Sequence, residues 1–331
     1  MKNIPRVTLI LSHKIFTPFV IFVSIFFLSY NLAFAKVLID KNTTLSTDIY
    51  GDDVEINTSD VIFDCDGHVI DGGYPEYTRY GIVVLNGVNN VTIKNCTIKS
   101  YYTGSFIAGG VGNILENNNF INNISGIYVQ EYSENTKIIN NVIKDAPASS
   151  SGSAIYAGFS SKNTSVVKNI ITGHYVGIQL VAPSNNQISE NTISHNSVGI
   201  NSARLNNSII SDNEISGNFT GLAFYSSNNN NKIYNNKFIN QKRAILLSAD
   251  SNQNYFFNNL ITENYFGLWS ANSYFPTGNY FYKNNIFANT FNIVANLAYS
   301  TELSHQGEGN YWGHTTSPCF HRAGSQIYPE D

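Results

Sequence analysis

Charge is scarce in this chain: 13% of its 331 residues are charged, and the net charge is −4. That is about half the charged share of an ordinary soluble protein. Arginine occurs five times, at Arg6, Arg79, Arg204, Arg243 and Arg322. A chain this poor in cations has no basic stripe, which excludes nucleic acid as the expected partner. Methionine occurs once, as the initiator, and proline eight times. Runs of Ala, Leu, Glu and Lys that would nucleate helices are missing as well. After residue 35 no stretch reaches the ~18 apolar residues of a membrane helix. The three cysteines, Cys65, Cys96 and Cys319, cannot all pair. Which two would pair is open, and buried small apolar residues are as good a reading as a bridge, with the contexts FDCDG and KNCTI resembling strand positions.

What the chain has instead is 48 asparagines and, with 21 Tyr and 21 Phe, many aromatic rings. That aromatic content excludes a disordered chain. The first 35 residues stand apart. Lys2, Arg6 and Lys14 precede an apolar run from Ile15 to Leu28, and Ala33-Phe34-Ala35 supplies small residues before Lys36. This is the pattern of a secretory signal peptide, so a secreted or periplasmic protein is expected.

Beyond it the asparagines recur. NIITGHYVGI at 169–178, NTISHNSVGI at 191–200 and NEISGNFTGL at 213–222 are versions of one sentence. Its opening slot holds Cys96, Asn118, Asn141, Asn169, Asn191, Asn213, Asn236, Asn259 and Asn285, at a period of 22–23 residues with longer intervals after Asn141 and Asn259. Such a period marks a solenoid. Apolar residues fill fixed offsets: Ile193 two after the marker, Ile188 three before it and Ile200 nine after it, each with equivalents from coil to coil. Short strands separated by turns, stacked in register, satisfy this spacing. The expected fold is therefore all-β, a parallel β-helix solenoid of about ten coils over 61–299. Residues 36–60 and 300–331 are expected to cap its ends. The marker Asn is expected to tolerate left-handed backbone at the turns and to pair with the Asn of the next coil. A second polar column stands five residues further on: Asn123, His174, Asn196, Asn218, Gln241 and Asn264.

The pattern resembles the right-handed parallel β-helix family, and within it the NosD-like group with its "GI…N.I…N" coils. The likeness runs from Val61 to Val294. VIFDCDGHVIDGG at 61–73 is similar to the first coil of such proteins, and GNYWG at 309–313 to a segment near their C-terminal end. The resemblance implies a right-handed helix, and either polysaccharide binding and processing (lyase, hydrolase or epimerase-like) or an accessory role in copper-site maturation. The alternative reading is a non-catalytic structural, adhesin-like or NosD-type scaffold. A monomer acting on a polysaccharide or cell-envelope glycan is the expected assembly.

Two excursions leave the repeat: 72–79, and the Pro- and Ser-rich 145–153, which lengthens one coil by five residues. Such loops often line a solenoid's binding face. Candidate catalytic carboxylates are Asp64, Asp66, Glu190 and Asp212, because glycoside cleavage needs two facing carboxyls. Asp66 is expected in the marker column. Asp52-Asp53 is the single Asp-Asp pair, and the other blocks of polygalacturonase-like relatives are missing. His174 and His195 are candidate bases, with Tyr175 near them. Ten residues after the marker stand Tyr128, Gln179, Asn201, Ala223, Leu246 and Trp269, expected on the outside of a strand. Tyr132, Tyr156 and Tyr225 are expected nearby. Together these form a candidate sugar platform of rings beside amides. No cofactor is required by the sequence. Ca²⁺ is compatible with the acidic group at Asp64, Asp66 and Asp71, and His314, Cys319 and His321 are the candidate soft-metal donors.

Overall fold

The computed structural model describes residues 36–73, 79–130, 132–148, 150–248, 251–270, 278–294 and 301–313. The signal-peptide segment, most of the 72–79 excursion, and His314, Cys319 and His321 lie outside the described residues.

Three parallel sheets, each of twelve strands, wind around a common interior. The chain passes from a strand of the first sheet to one of the second, then one of the third, and repeats. Strands of the first sheet run from Lys36–Ile39 to Phe291–Val294 and are mostly five residues or longer, so we call it the long-strand sheet. The second runs from Thr43–Thr44 to Thr301–Glu302 and the third from Ile49–Tyr50 to Tyr311–Trp312. Twelve strands per sheet make about eleven turns, one more than the repeat count suggested. At a strand spacing of ~4.8 Å the stack is ~50 Å long. Residues 36–60 carry a strand in each of the three sheets.

The apolar columns face inward. Ile188 pairs with Ile210, Ile193 with Ile215 and Ile200 with Leu222, and all six are fully buried. The last coil differs from the expected register by one residue. Asn284, not Asn285, accepts from the Asn259 backbone N–H, so Phe281 and Ile286 take the inward slots expected of Tyr282 and Phe287. We expect Ile193→Ala to cost about 2–5 kcal/mol through the cavity it leaves in this stack. Equilibrium unfolding in urea checks this, and a loss under about 1 kcal/mol would contradict the inward register.

Asparagine serves the turns in two ways. The residue before each marker takes the left-handed conformation: Asn117 (φ 57°), Asn140 (56°), Lys168 (59°), Glu190 (57°), Asp212 (57°) and Asn235 (56°). The marker itself does not, which corrects the expectation. Its role is the buried ladder. Asn191 Nδ2 donates to Asn213 Oδ1 at 2.9 Å and to the Val166 carbonyl at 2.8 Å. Its own Oδ1 accepts from the Asn169 backbone N–H at 2.9 Å. The second column makes a similar ladder through Asn196, Asn218 and Gln241. A third, not evident in the repeat, passes through Asn186, Ser208, Asn231 and Asn254. Polar turns between buried strands leave backbone groups without partners, and these amides satisfy them inside the fold.

At its N-terminal end the marker ladder stops in a disulfide between Cys65 and Cys96, whose Cα atoms are 4.8 Å apart. Cys96 donates its backbone N–H to Asn118 Oδ1 at 3.0 Å and has no side-chain amide to carry the ladder further. Cys65 therefore caps the column, and Asp66 does not belong to it.

Candidate functional site

Outward positions of the long-strand sheet form two columns. One contains Tyr128, Tyr156, Gln179, Asn201, Leu246 and Trp269, aligned by strand register, with Phe106 before Tyr128 and Ala223 between Asn201 and Leu246. The other, three residues earlier on each strand, includes Tyr80, Ser125, Ser153, Thr220, Arg243 and Phe266.

Aromatic stacking orders the N-terminal half of this face. Tyr80 and Phe106 have ring centroids 4.8 Å apart, Phe106 and Tyr128 5.4 Å, and Tyr128 and Tyr156 4.3 Å with planes 16° apart. The next two coils replace rings with amides, Asn201 Nδ2 donating to Gln179 Oε1 at 2.8 Å. Ala223 and Leu246 follow, both buried. Trp269 then lies under the Arg243 guanidinium, whose carbon is 3.6 Å from the ring centroid. Five coils separate Tyr156 from Trp269, a distance of ~24 Å.

A cavity of about 330 Å³ opens beside the stacked tyrosines. Its walls are Tyr102, Tyr128 and Tyr156 on the coil side, and Pro147 and Ser150–Ser153 from the protruding loop. The loop is held close. Ser150 N–H donates to the Pro147 carbonyl at 2.8 Å, and a Cβ on Gly152 would stand 1.9 Å from the Ile124 carbonyl oxygen. No residue lining the cavity carries a carboxylate, an imidazole or an ammonium group. Rings, hydroxyls and carbonyls suit a neutral polyol that stacks and hydrogen-bonds.

The candidate acids and bases are not brought together. Asp64 faces Lys94 at 3.3 Å. Burial pushes its carboxyl upward, but the Asp66 N–H, the Asn95 amide and Lys94 outweigh that and hold it below the ordinary carboxylate value. Such a group stays ionised and makes a poor general acid. Asp66 is an exposed turn residue. Glu190 and Asp212 occupy left-handed turn positions, Glu190 3.5 Å from Lys168 and Asp212 accepting from Asn235. His174 sits inside the second ladder, its Nδ1 3.1 Å from the Thr172 carbonyl. Burial lowers its pKa and keeps the ring neutral. His195 occupies an exposed left-handed turn one coil away and outside that ladder. Asp53, of the single Asp-Asp pair, bridges to the buried Arg79 at 2.7 Å.

Of the sugar candidates, Tyr132 stands in a left-handed turn and Tyr225 is the extra residue at a bulge, so neither joins the column. Sequence reasoning missed Tyr80, Phe106, Tyr102 and Arg243. Phe106 was legible: it follows Gly104 by two residues, as Tyr128 follows Gly126.

Soft-metal chemistry finds little support among the described residues. Cys65 and Cys96 are consumed by their bridge, His68 pairs with Asp48, and no group of three His, Cys, Asp or Glu residues could hold an ion. The described residues therefore do not fit a copper site.

The sequence matches the family described as "Periplasmic copper-binding protein (NosD)" over residues 161–317, and "Right handed beta helix region" over 33–185. No curated protein matches the chain. Among solved structures it is similar to the periplasmic alginate epimerase AlgG, with a TM-score of 0.62 and 13% identity over 84% of this chain and 76% of that one. It is also similar to a mutant tailspike protein of E. coli bacteriophage HK620 in complex with pentasaccharide, with a TM-score of 0.60 and 12% identity over 88% and 73%. At these identities the likeness is one of fold.

Proposed function

Starting from a chain that matches a NosD-like right-handed parallel β-helix family, we propose that it is an exported protein whose long-strand face binds a polysaccharide. The observation that carries this reading is the cavity beside Tyr128 and Tyr156, with the amide pair Gln179 and Asn201 following Tyr156 in register on the next two coils. A polymer lying across the strands would meet one new outward side chain per coil, at a rise of ~4.8 Å, close to the length of one sugar in an extended chain. The fold analogues whose names state alginate or a pentasaccharide support the choice of ligand class. The family's description as periplasmic and the N-terminal charge and hydropathy pattern support export. Among the described residues no helix is long and apolar enough to cross a membrane.

The neutral lining favours binding over cleavage. We expect the purified protein to be retained on immobilised polysaccharide with no cleaved or unsaturated ends appearing. Product formation would make it an enzyme and direct attention to residues outside the cavity. Failure to be retained on any of a broad set of glycans would leave the scaffold role in its place.

A further inference from the structure

Many cations among the described residues are matched with acids across adjacent coils. Lys94 faces Asp64, Lys99 faces Asp71, Lys162 faces Glu134, Lys168 faces Glu190 and Lys237 faces Glu214. Buried Arg79 bonds to Asp53 and to two carbonyls. Lys41, Lys137, Arg204 and Lys232 are exposed exceptions. Lys242 and Arg243 are exceptions too, consecutive in the chain where the strand Arg243–Leu247 of the long-strand sheet begins. Neither makes an ion pair with a described residue. Both are held by rings instead. Lys242 Nζ is 5.8 Å from the Phe219 centroid and 5.5 Å from that of Tyr265, and the Arg243 guanidinium carbon is 5.1 Å from Phe219 and 3.6 Å from Trp269.

Arg243 Nε is buried with no hydrogen-bond partner. Desolvation lowers the pKa of the group, as expected of a partly buried cation with no carboxylate paired to it among the described residues. A buried donor on a positive group is costly to leave unpaired, so a missing acceptor is the natural explanation. The planar fork of a guanidinium matches a carboxylate in bidentate geometry, and the rings that fix it lower the entropy lost on binding. Phe219 and Tyr265, both about half exposed, leave the pair open to solvent.

We infer that Lys242 and Arg243 form an anion-reading subsite of the polysaccharide face, selecting a chain that bears carboxylates, as a polyuronate does. This rests on the proposal that the face binds polysaccharide. The tyrosine cavity then grips the sugar ring, and the cationic pair, about four coils or ~19 Å away, reads the acid group. A chain of four to five sugars spans both.

The test is a matched pair of polymers: a polyuronate, and the same polymer with its carboxyls reduced to alcohols. Wild type should bind the first at least tenfold more tightly at low salt, and the gap should shrink as salt rises. Arg243→Gln should erase most of the gap, Lys242→Gln part of it, and Tyr156→Ala should weaken both polymers alike. Lys242→Gln guards against a folding defect at Arg243, since Lys242 is held only by exposed rings. Equal binding of both polymers by wild type would overturn the anion subsite and leave the platform standing. Retention of neither would sink the platform itself. Tighter binding of a sulfated neutral polymer than of the polyuronate would overturn the carboxylate assignment.

Discussion

Replacing Tyr128 and Tyr156 together by Ala should cost at least a hundredfold in polysaccharide affinity while the protein stays folded. The two ring centroids are 4.3 Å apart with nearly parallel planes, and with Tyr102 they wall the side of the cavity that the loop does not supply. A ring at the centre of a binding site typically loses about 2 kcal/mol or more on truncation, roughly thirtyfold in affinity. Because these two touch, their effects will not add, which places the double variant between a hundredfold and a thousandfold. Stability should change little, since both side chains point outward and the inward slots on either side, Ile127 and Ile155, are untouched. Tyr311→Ala is the control: that ring is 62% exposed on the third sheet and should leave affinity unchanged. Calorimetric titration with an oligosaccharide measures all three. A loss under threefold in the double variant would remove the tyrosine cavity from the site.

The second large effect is on folding. Asn191→Ala should destabilise the protein by about 3–6 kcal/mol, as much as a cavity in the apolar core. The Asn191 side chain is 1% exposed and makes four hydrogen bonds. It accepts from the Asn169 backbone at 2.9 Å and side chain at 3.0 Å, and it donates to Val166 and Asn213. Alanine leaves the Asn169 backbone N–H without its acceptor, takes one of three acceptors from Asn169 Nδ2, and deprives the Val166 carbonyl and Asn213 Oδ1 of this donor. Each orphaned group costs about 1–3 kcal/mol in a dry interior. Asn119→Ser is the contrast. Asn119 is exposed on the third sheet, and the change should stay within about 0.5 kcal/mol. Urea unfolding of both variants gives the comparison, and equal small effects would mean that the ladder is ornamental to stability.

The marker column could be read from sequence because one residue type recurs there at a nearly fixed interval. Its partner, the left-handed position just before it, could not. Lys168, Glu190, Asp212 and Asn235 share a backbone conformation but no chemistry, so residue identity conceals the column. The same blindness made Glu190 and Asp212 candidate acids, when each is a turn residue satisfied by a neighbour in an adjacent coil, Lys168 before Glu190 and Asn235 after Asp212. The third ladder interrupts its amides with a hydroxyl, as at Asn186, Ser208 and Asn231, and so left no constant repeating letter. Counting failed where a turn changed length. Asp66-Gly67 adds residues after Cys65, and the last coil places Asn284 one step earlier than the string suggested. In the site, the outward column from Tyr128 to Trp269 was legible as a spacing. The cavity was not, because it depends on how the 145–153 loop folds back at Gly152. Nor was the Arg243 subsite, because a buried, unpaired Nε and a guanidinium stacked on Trp269 are seen only once the side chains are placed.

Stacked rings also run along the second sheet, where Tyr234, Phe257 and Tyr282 have centroids 4.9 and 5.2 Å apart. That run is the rival surface, and the decisive measurement separates the two. Hydroxyl-radical footprinting of the protein, with and without a bound oligosaccharide, reads the solvent access of each aromatic side chain. The account predicts protection of Tyr128, Tyr156 and Trp269, with Tyr234, Phe257 and Tyr311 unchanged. Protection of Tyr234, Phe257 and Tyr282 with the long-strand face unaltered would contradict it.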